Sequence, residues 1–201
     1  MRATDEGFTK EMSRNNLALR FLCRNVQTQA ICEWSGLSRA RIKKIRQAYA
    51  YDFPEVRLRR PPGPAPEKLS YFLRSPRKRC EAAVLGGLCR AFGVIPMHAV
   101  PDARRYLPSV SRGEHLCEIY DLYRALVPAA SMTMDQLISL LLSLADGERH
   151  DIGRCCDCSG VILVDPFGKE RRICMHCVLE ARQAAEDVRP GLAGSEPRYG
   201  N

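Results

Sequence analysis

This sequence has no long apolar stretch. Its longest such run, Leu137 to Ala145, is about half of what a bilayer-spanning helix needs. The N-terminus, Met1-Arg2-Ala3-Thr4-Asp5-Glu6, has no apolar h-region. That argues against a signal peptide and for a cytoplasmic protein with no membrane association. Histidine is scarce, and His98, His115, His150 and His176 each stand apart from any motif partner. There is no nucleophile–base motif, no glycine-rich phosphate loop and no pattern for an open metal site. The expectation is a protein that is not an enzyme. No internal repeat is present, which excludes solenoids and arrays.

What the sequence does have is positive charge, and it is concentrated. The formal net charge is +8. Between Ser35 and Cys80 thirteen lysines and arginines face three acids, Asp52, Glu55 and Glu67, so this segment alone exceeds the surplus of the whole chain. A basic surplus confined to one segment is the electrostatic footprint of a nucleic-acid face, although a solvated surface gives the same count.

The second abundance is cysteine, ten in 201 residues. Without an export signal these are better read as metal ligands or buried thiols than as disulfides. Cys23, Cys32, Cys80, Cys89 and Cys117 are scattered through apolar helical stretches and read as buried small hydrophobes.

The chain reads as mainly α: a helical domain containing a helix-turn-helix, followed by a C-terminal four-cysteine, zinc-ribbon-like module. Residues 1–52 form a helical N-terminal part, with a helix over 12–27 and two short helices over 28–50 broken at Gly36. Residues 53–67 are a proline-rich linker. Residues 68–150 are a helical middle. Helical pattern covers 68–92, where Gly86-Gly87 either break the helix or admit a close neighbour. A second helix covers 114–126, with Leu116, Ile119, Tyr120 and Tyr123 on one side. A third covers 133–145, opening with the capping-box pair Thr133 and Gln136 and apolar almost all round, so core or interface. Residues 151–187 are the metal module and 188–201 a fraying tail.

The metal signal is the spacing Cys155-x2-Cys158-x15-Cys174-x2-Cys177. Each C-x-x-C turn presents two thiolates to one side, and two turns complete a closed tetrahedral shell for one structural zinc. Gly160 suits a knuckle whose backbone N–H groups bond the sulfurs. Val161–Val164 reads as a strand, returning through 169–173 as its partner. The second knuckle then starts a helix over 178–186. Cys156 and His176 are spare donors expected to point away.

Residues 28–47 fit a helix-turn-helix. Gly36 takes the turn, Ser38 caps the second helix, and Leu37, Ile42 and Ile45 face its partner. Arg39, Ala40, Lys43, Lys44 and Gln47 face outward, with Arg41 close by, and Ser38, Arg39, Arg41, Lys43 and Lys44 are the candidate DNA contacts of this helix. A recognition helix reads bases from its first turns, so Arg39 is the candidate for a guanine and Lys43 and Lys44 for phosphates of double-stranded DNA. Arg57, Arg59 and Arg60 flank the proline loop and could follow neighbouring phosphates or enter the minor groove. An ordinary helical corner with solvated cations remains the alternative.

Leu37-Ser38-Arg39-Ala40-Arg41-Ile42, the proline-rich stretch after it, the helical middle and the terminal cysteine pairs together resemble the flagellar transcriptional activator FlhC family. The resemblance covers roughly residues 25–180 in order of features. It implies a DNA-binding activator subunit at flagellar (class II) and related promoters, acting as a hetero-oligomer with a small helical FlhD-like protein. It also implies a zinc site at Cys155, Cys158, Cys174 and Cys177. The residues around 51–60 and the Arg74–Arg79 basic cluster depart from the family pattern. The competing resemblance is to DksA-type zinc-finger proteins, which bind RNA polymerase without binding DNA. It rests on residues 153–160 and Cys174-Met175-His176-Cys177. Those proteins carry a long coiled coil ahead of the finger, whereas here prolines and a helix-turn-helix pattern precede it.

Overall fold

The computed structural model describes residues 2–56, 58, 69–96, 100–146, 151–164 and 171–187. The chain begins with α1 (Arg2–Cys23), α2 (Thr28–Ser35) and α3 (Arg39–Asp52). After a one-turn 3-10 helix at Leu69–Tyr71 come α4 (Pro76–Ala91), α5 (Ala103–Tyr106), α6 (Val110–Leu126) and α7 (Met134–Ala145). Strands β1 (Asp151–Arg154) and β2 (Val161–Val164) form an antiparallel hairpin, and α8 (Met175–Asp187) follows. No helix among the described residues is long and apolar enough to cross a membrane. The prolines of the expected linker at 61–66 lie outside the described residues.

Helix α1 begins ten residues before the periodicity announces it. Its first half carries no apolar stripe, and Phe8 and Met12 project into solvent, 68% and 49% exposed. Its second half buries Leu17, Ala18, Phe21 and Leu22. It stops at Cys23 rather than at residue 27, because Asn25 takes a left-handed φ of 57° and starts the turn into α2. Between α2 and α3, Gly36 stands at φ 69°, and its N–H bonds the Cys32 carbonyl. The Ser38 hydroxyl accepts from the Arg41 N–H and caps α3.

Helix α7 is core throughout. Leu137, Leu140, Leu141 and seven further positions are buried, so little of its apolar surface is left for a partner. Both halves of its capping box form: the Gln136 N–H donates to Thr133 Oγ1, and the Thr133 N–H to Gln136 Oε1. Asp135 in its first turn accepts from the Gln27 N–H at 3.0 Å, tying the start of α7 to the start of α2. One continuous core runs from Leu17 and Trp34 through Leu85, Leu116 and Leu141 to Ile152 and Leu163.

Of the five scattered cysteines, Cys89 and Cys117 are buried as expected. Cys23 and Cys80 are exposed, and Cys32 is half-buried at the edge of the core.

Inside the helical layer Glu81 of α4 is buried, and every neighbour bonds it. It accepts from the Tyr123 hydroxyl at 2.6 Å, the Ser131 N–H and hydroxyl, the Met132 N–H and Arg77 Nε at 2.8 Å. Burial pushes this carboxyl up, but the bonds from Tyr123, Arg77 and Ser131 outweigh it and hold the group at about 2. A depressed carboxyl stabilises the fold above its unfolded pKa of about 4.3 and loses that contribution as pH falls toward 2. Glu81→Gln should therefore cost about 3 kcal/mol at neutral pH. It should also flatten the acid limb of stability between roughly pH 4.5 and 2, as read by urea melts across that range.

Candidate metal centre and basic helix face

The four cysteines converge. Their sulfurs all lie within 4.8 Å of one another, a group that could hold a metal ion. Cys155 Sγ is 3.9 Å from Cys177 Sγ, and Cys158 Sγ is 3.6 Å from Cys174 Sγ. A tetrahedral shell with metal–sulfur bonds of about 2.3 Å has sulfur–sulfur edges of about 3.8 Å, so the residues present fit such an ion. Four sulfurs close the shell and leave no position for a reactant.

Two elements place these sulfurs. The first knuckle is the loop of the β1–β2 hairpin itself, registered by Asp151↔Val164, Ile152↔Leu163, Gly153↔Ile162 and Arg154↔Val161. This corrects the sequence reading. The partner of Val161–Val164 precedes the first knuckle and is not the segment 169–173, of which Arg171–Ile173 are described and are not a strand. That segment crosses beside the first knuckle instead, where the Cys156 N–H donates to the Arg172 carbonyl and Arg171 pairs with Asp157 at 2.7 Å. Gly153 is the residue that allows it, since a Cβ there would stand 2.8 Å from Val164 Cγ1. The second knuckle opens α8, so Cys177 sits inside that helix, earlier than expected.

Backbone N–H groups point at the sulfurs, as knuckles require. Asp157 and Cys174 donate to Cys155 Sγ, Gly160 to Cys158 Sγ, and Cys177 to Cys174 Sγ, at 3.2–3.4 Å. Donors from Cys158, Cys174 and Asp157 pull the Cys155 thiol down to about 6. The sulfur of Cys174 pushes the Cys177 thiol the other way. Crowded thiols resist a second and third ionisation, and a divalent cation supplies the missing charge. Cys156 and His176 are exposed and outside the group, His176 facing Glu180 at 3.2 Å.

The module is seated on α4. A Cβ at Gly86 would lie 2.9 Å from Ile152 Cδ1, and one at Gly87 3.2 Å from Val161 Cγ1. The glycine pair does not break α4; it is the socket for the hairpin's apolar side chains, with Arg90 Nη1 on the Ile152 carbonyl at 2.9 Å.

The other candidate site is α3. Arg39, Ala40, Lys43, Lys44 and Gln47 are exposed, and Ile42 is buried, with Leu37 and Ile45 packed against the core. Its first turn holds no acid. Arg39 Nη2 donates to Gln29 Oε1 of α2 at 2.6 Å. Arg41 turns back to α1, where it bonds Asn15 and pairs with Glu11 at 3.3 Å. That clasp was not legible beforehand; an acid thirty residues upstream gives no local signal. Arg57, Arg59 and Arg60 lie outside the described residues.

No protein-family model matches this chain, and no curated protein matches it.

Freshly purified, reduced protein should carry one metal ion per chain by elemental analysis. Cys155→Ser or Cys174→Ser should abolish retention and unfold the hairpin module, because metal-binding energy is folding energy there. Since all four thiols must lose their protons to bind, retention should weaken as pH falls. Metal-free protein with an unchanged hairpin would refute the assignment.

Proposed function

We propose that this chain is a DNA-binding subunit of a transcription activator, similar to FlhC, held together at its C-terminal end by one structural zinc. The observation that carries the reading is the exposed face of α3. Arg39, Lys43 and Lys44 line it, no acid appears on the helix before Asp52, and the turn at Gly36 sets it at an angle to α2. These features support a helix-turn-helix reading. The buried face of α3 holds it on the core, leaving the cationic face for the major groove. Arg39 stands at the N-terminal end, where base edges are read, and Ser38 beside it can meet a phosphate. Arg41, exposed beside Arg39 and paired with Glu11 of α1, belongs to the same DNA-contact face. Zinc is the metal favoured by four thiolates in a closed tetrahedral shell, and the zinc-ribbon-like module then serves architecture.

The resemblance adds a small helical FlhD-like partner. The buried α7 is not its seat, since the core has taken that surface. Phe8 and Met12, one helical turn apart on the free half of α1, are the apolar surface that supports this part of the reading.

Arg39→Ala should weaken specific DNA binding by about 1–3 kcal/mol and relax preference at one base position. Lys43→Ala should weaken binding to all sequences alike and lower the salt slope by about one. Gel shifts over salt and operator variants separate the two effects. If both variants bind like wild type, α3 is not the recognition helix. Binding of RNA polymerase in the absence of any DNA affinity would favour the DksA-like reading instead. Co-purification with the partner should be lost in Phe8→Asp and kept in Lys43→Ala.

A further inference from the structure

A second group of cations is unaccounted for by α3. From Leu69 to Cys80 the chain carries Arg74, Arg77, Lys78 and Arg79 and no acid. Ser75 caps α4 and Pro76 opens it, so Arg77, Lys78 and Arg79 occupy its first turns, with no acidic residue there. Cations are disfavoured at that end of a helix, where the macrodipole is already positive. Arg77 is absorbed internally by Glu81 and the Ala129 carbonyl. Among the described residues, Arg74, Lys78 and Arg79 pair with no carboxylate.

Two of these charges are held in place. Lys78 Nζ sits 3.7 Å from the centre of the Tyr71 ring, and the Arg74 guanidinium carbon lies 5.7 Å from the same centre. The ring is itself fixed, because the Tyr71 hydroxyl accepts from Gln136 Nε2 at 2.9 Å and Gln136 belongs to the capping box of α7. Arg79 Nη2 rests on the Leu73 carbonyl at 3.3 Å. The result is a cluster of three cations, two over one pinned aromatic ring and the third on a backbone carbonyl, which lowers the ordering cost of meeting a closely spaced row of anions.

We propose that Arg74, Lys78 and Arg79 form a second contact with the sugar–phosphate backbone of the same duplex, separate from α3. This rests on the DNA-binding reading above. Nucleic acid is the occupant these features favour, because a duplex offers one negative charge per about 1.7 Å of axis and needs no sequence-specific fit. The corner also continues the basic segment that contains α3.

The test uses the full chain, with its co-purified partner if one is present, and a fluorescent duplex of about 30 base pairs, long enough to span both surfaces. Binding is followed by anisotropy across a salt series. Arg74→Gln/Lys78→Gln/Arg79→Gln should lower the slope of log affinity against log salt by about 2 to 3 units while keeping sequence preference. Metal content should be unchanged. Lys78→Arg, which keeps a cation on the ring, should keep the slope. If the triple variant folds poorly, Arg74→Gln alone should lower the slope by about 0.9. An unchanged slope overturns the proposal, as does loss of metal with unchanged slope. If the α3 variants lose binding while the corner variants do not, the α3 reading stands and this one falls. The reverse pattern removes α3 and keeps the corner. Wild type that binds no duplex overturns both.

Discussion

Burying a carboxylate is among the more expensive things a helical core can do, and Glu81 is surrounded so that nothing about it is left unsatisfied. A tyrosine from α6, two backbone groups and a hydroxyl from the chain entering α7, and an arginine one turn back on α4 all converge on it. The chain between α6 and α7 has no regular structure of its own. Glu81 fixes where it passes, and so fixes where the capping box starts α7. The most apolar helix of the protein is positioned by its most polar buried group.

Helix α4 carries three separate duties on its three sides. Glu81 faces inward. Gly86 and Gly87 are flattened to receive Ile152 and Val161. In its first turns Lys78 lies over the Tyr71 ring and Arg79 is exposed. Four-residue strands are too short to stand alone, so the hairpin depends on that glycine socket at one end and on the four sulfurs at its loop. The four-cysteine group, a candidate metal site, is therefore an extension of the helical core and not an independent bead on the chain.

The parts legible in the sequence were those whose partners lie close along it. The capping box spans three residues, the turn at Gly36 is punctuated by its own glycine, and each C-x-x-C declares itself. What escaped notice was long-range or unpatterned. The first ten residues of α1 have no apolar stripe to reveal them. Strand β1, Asp151-Ile152-Gly153-Arg154, is short and contains a glycine, so nothing in its pattern marks it as the partner of Val161–Val164. Glu81 finds Tyr123 and Ser131 at separations of 42 and 50 residues. A lone acid following a basic run on a helix, four residues after Arg77, was the one trace it left.

Trp34 is the single tryptophan of the chain. It is buried in α2, its ring 6.4 Å from that of Phe21, and its indole N–H has no acceptor among the described residues. Intrinsic fluorescence therefore watches the seam between α1 and α2. An emission spectrum would register detachment of the helix pair behind α3, while fraying confined to the cysteine hairpin could pass unseen. For this protein an unperturbed tryptophan signal certifies one end of the fold, and the metal end needs a reporter of its own.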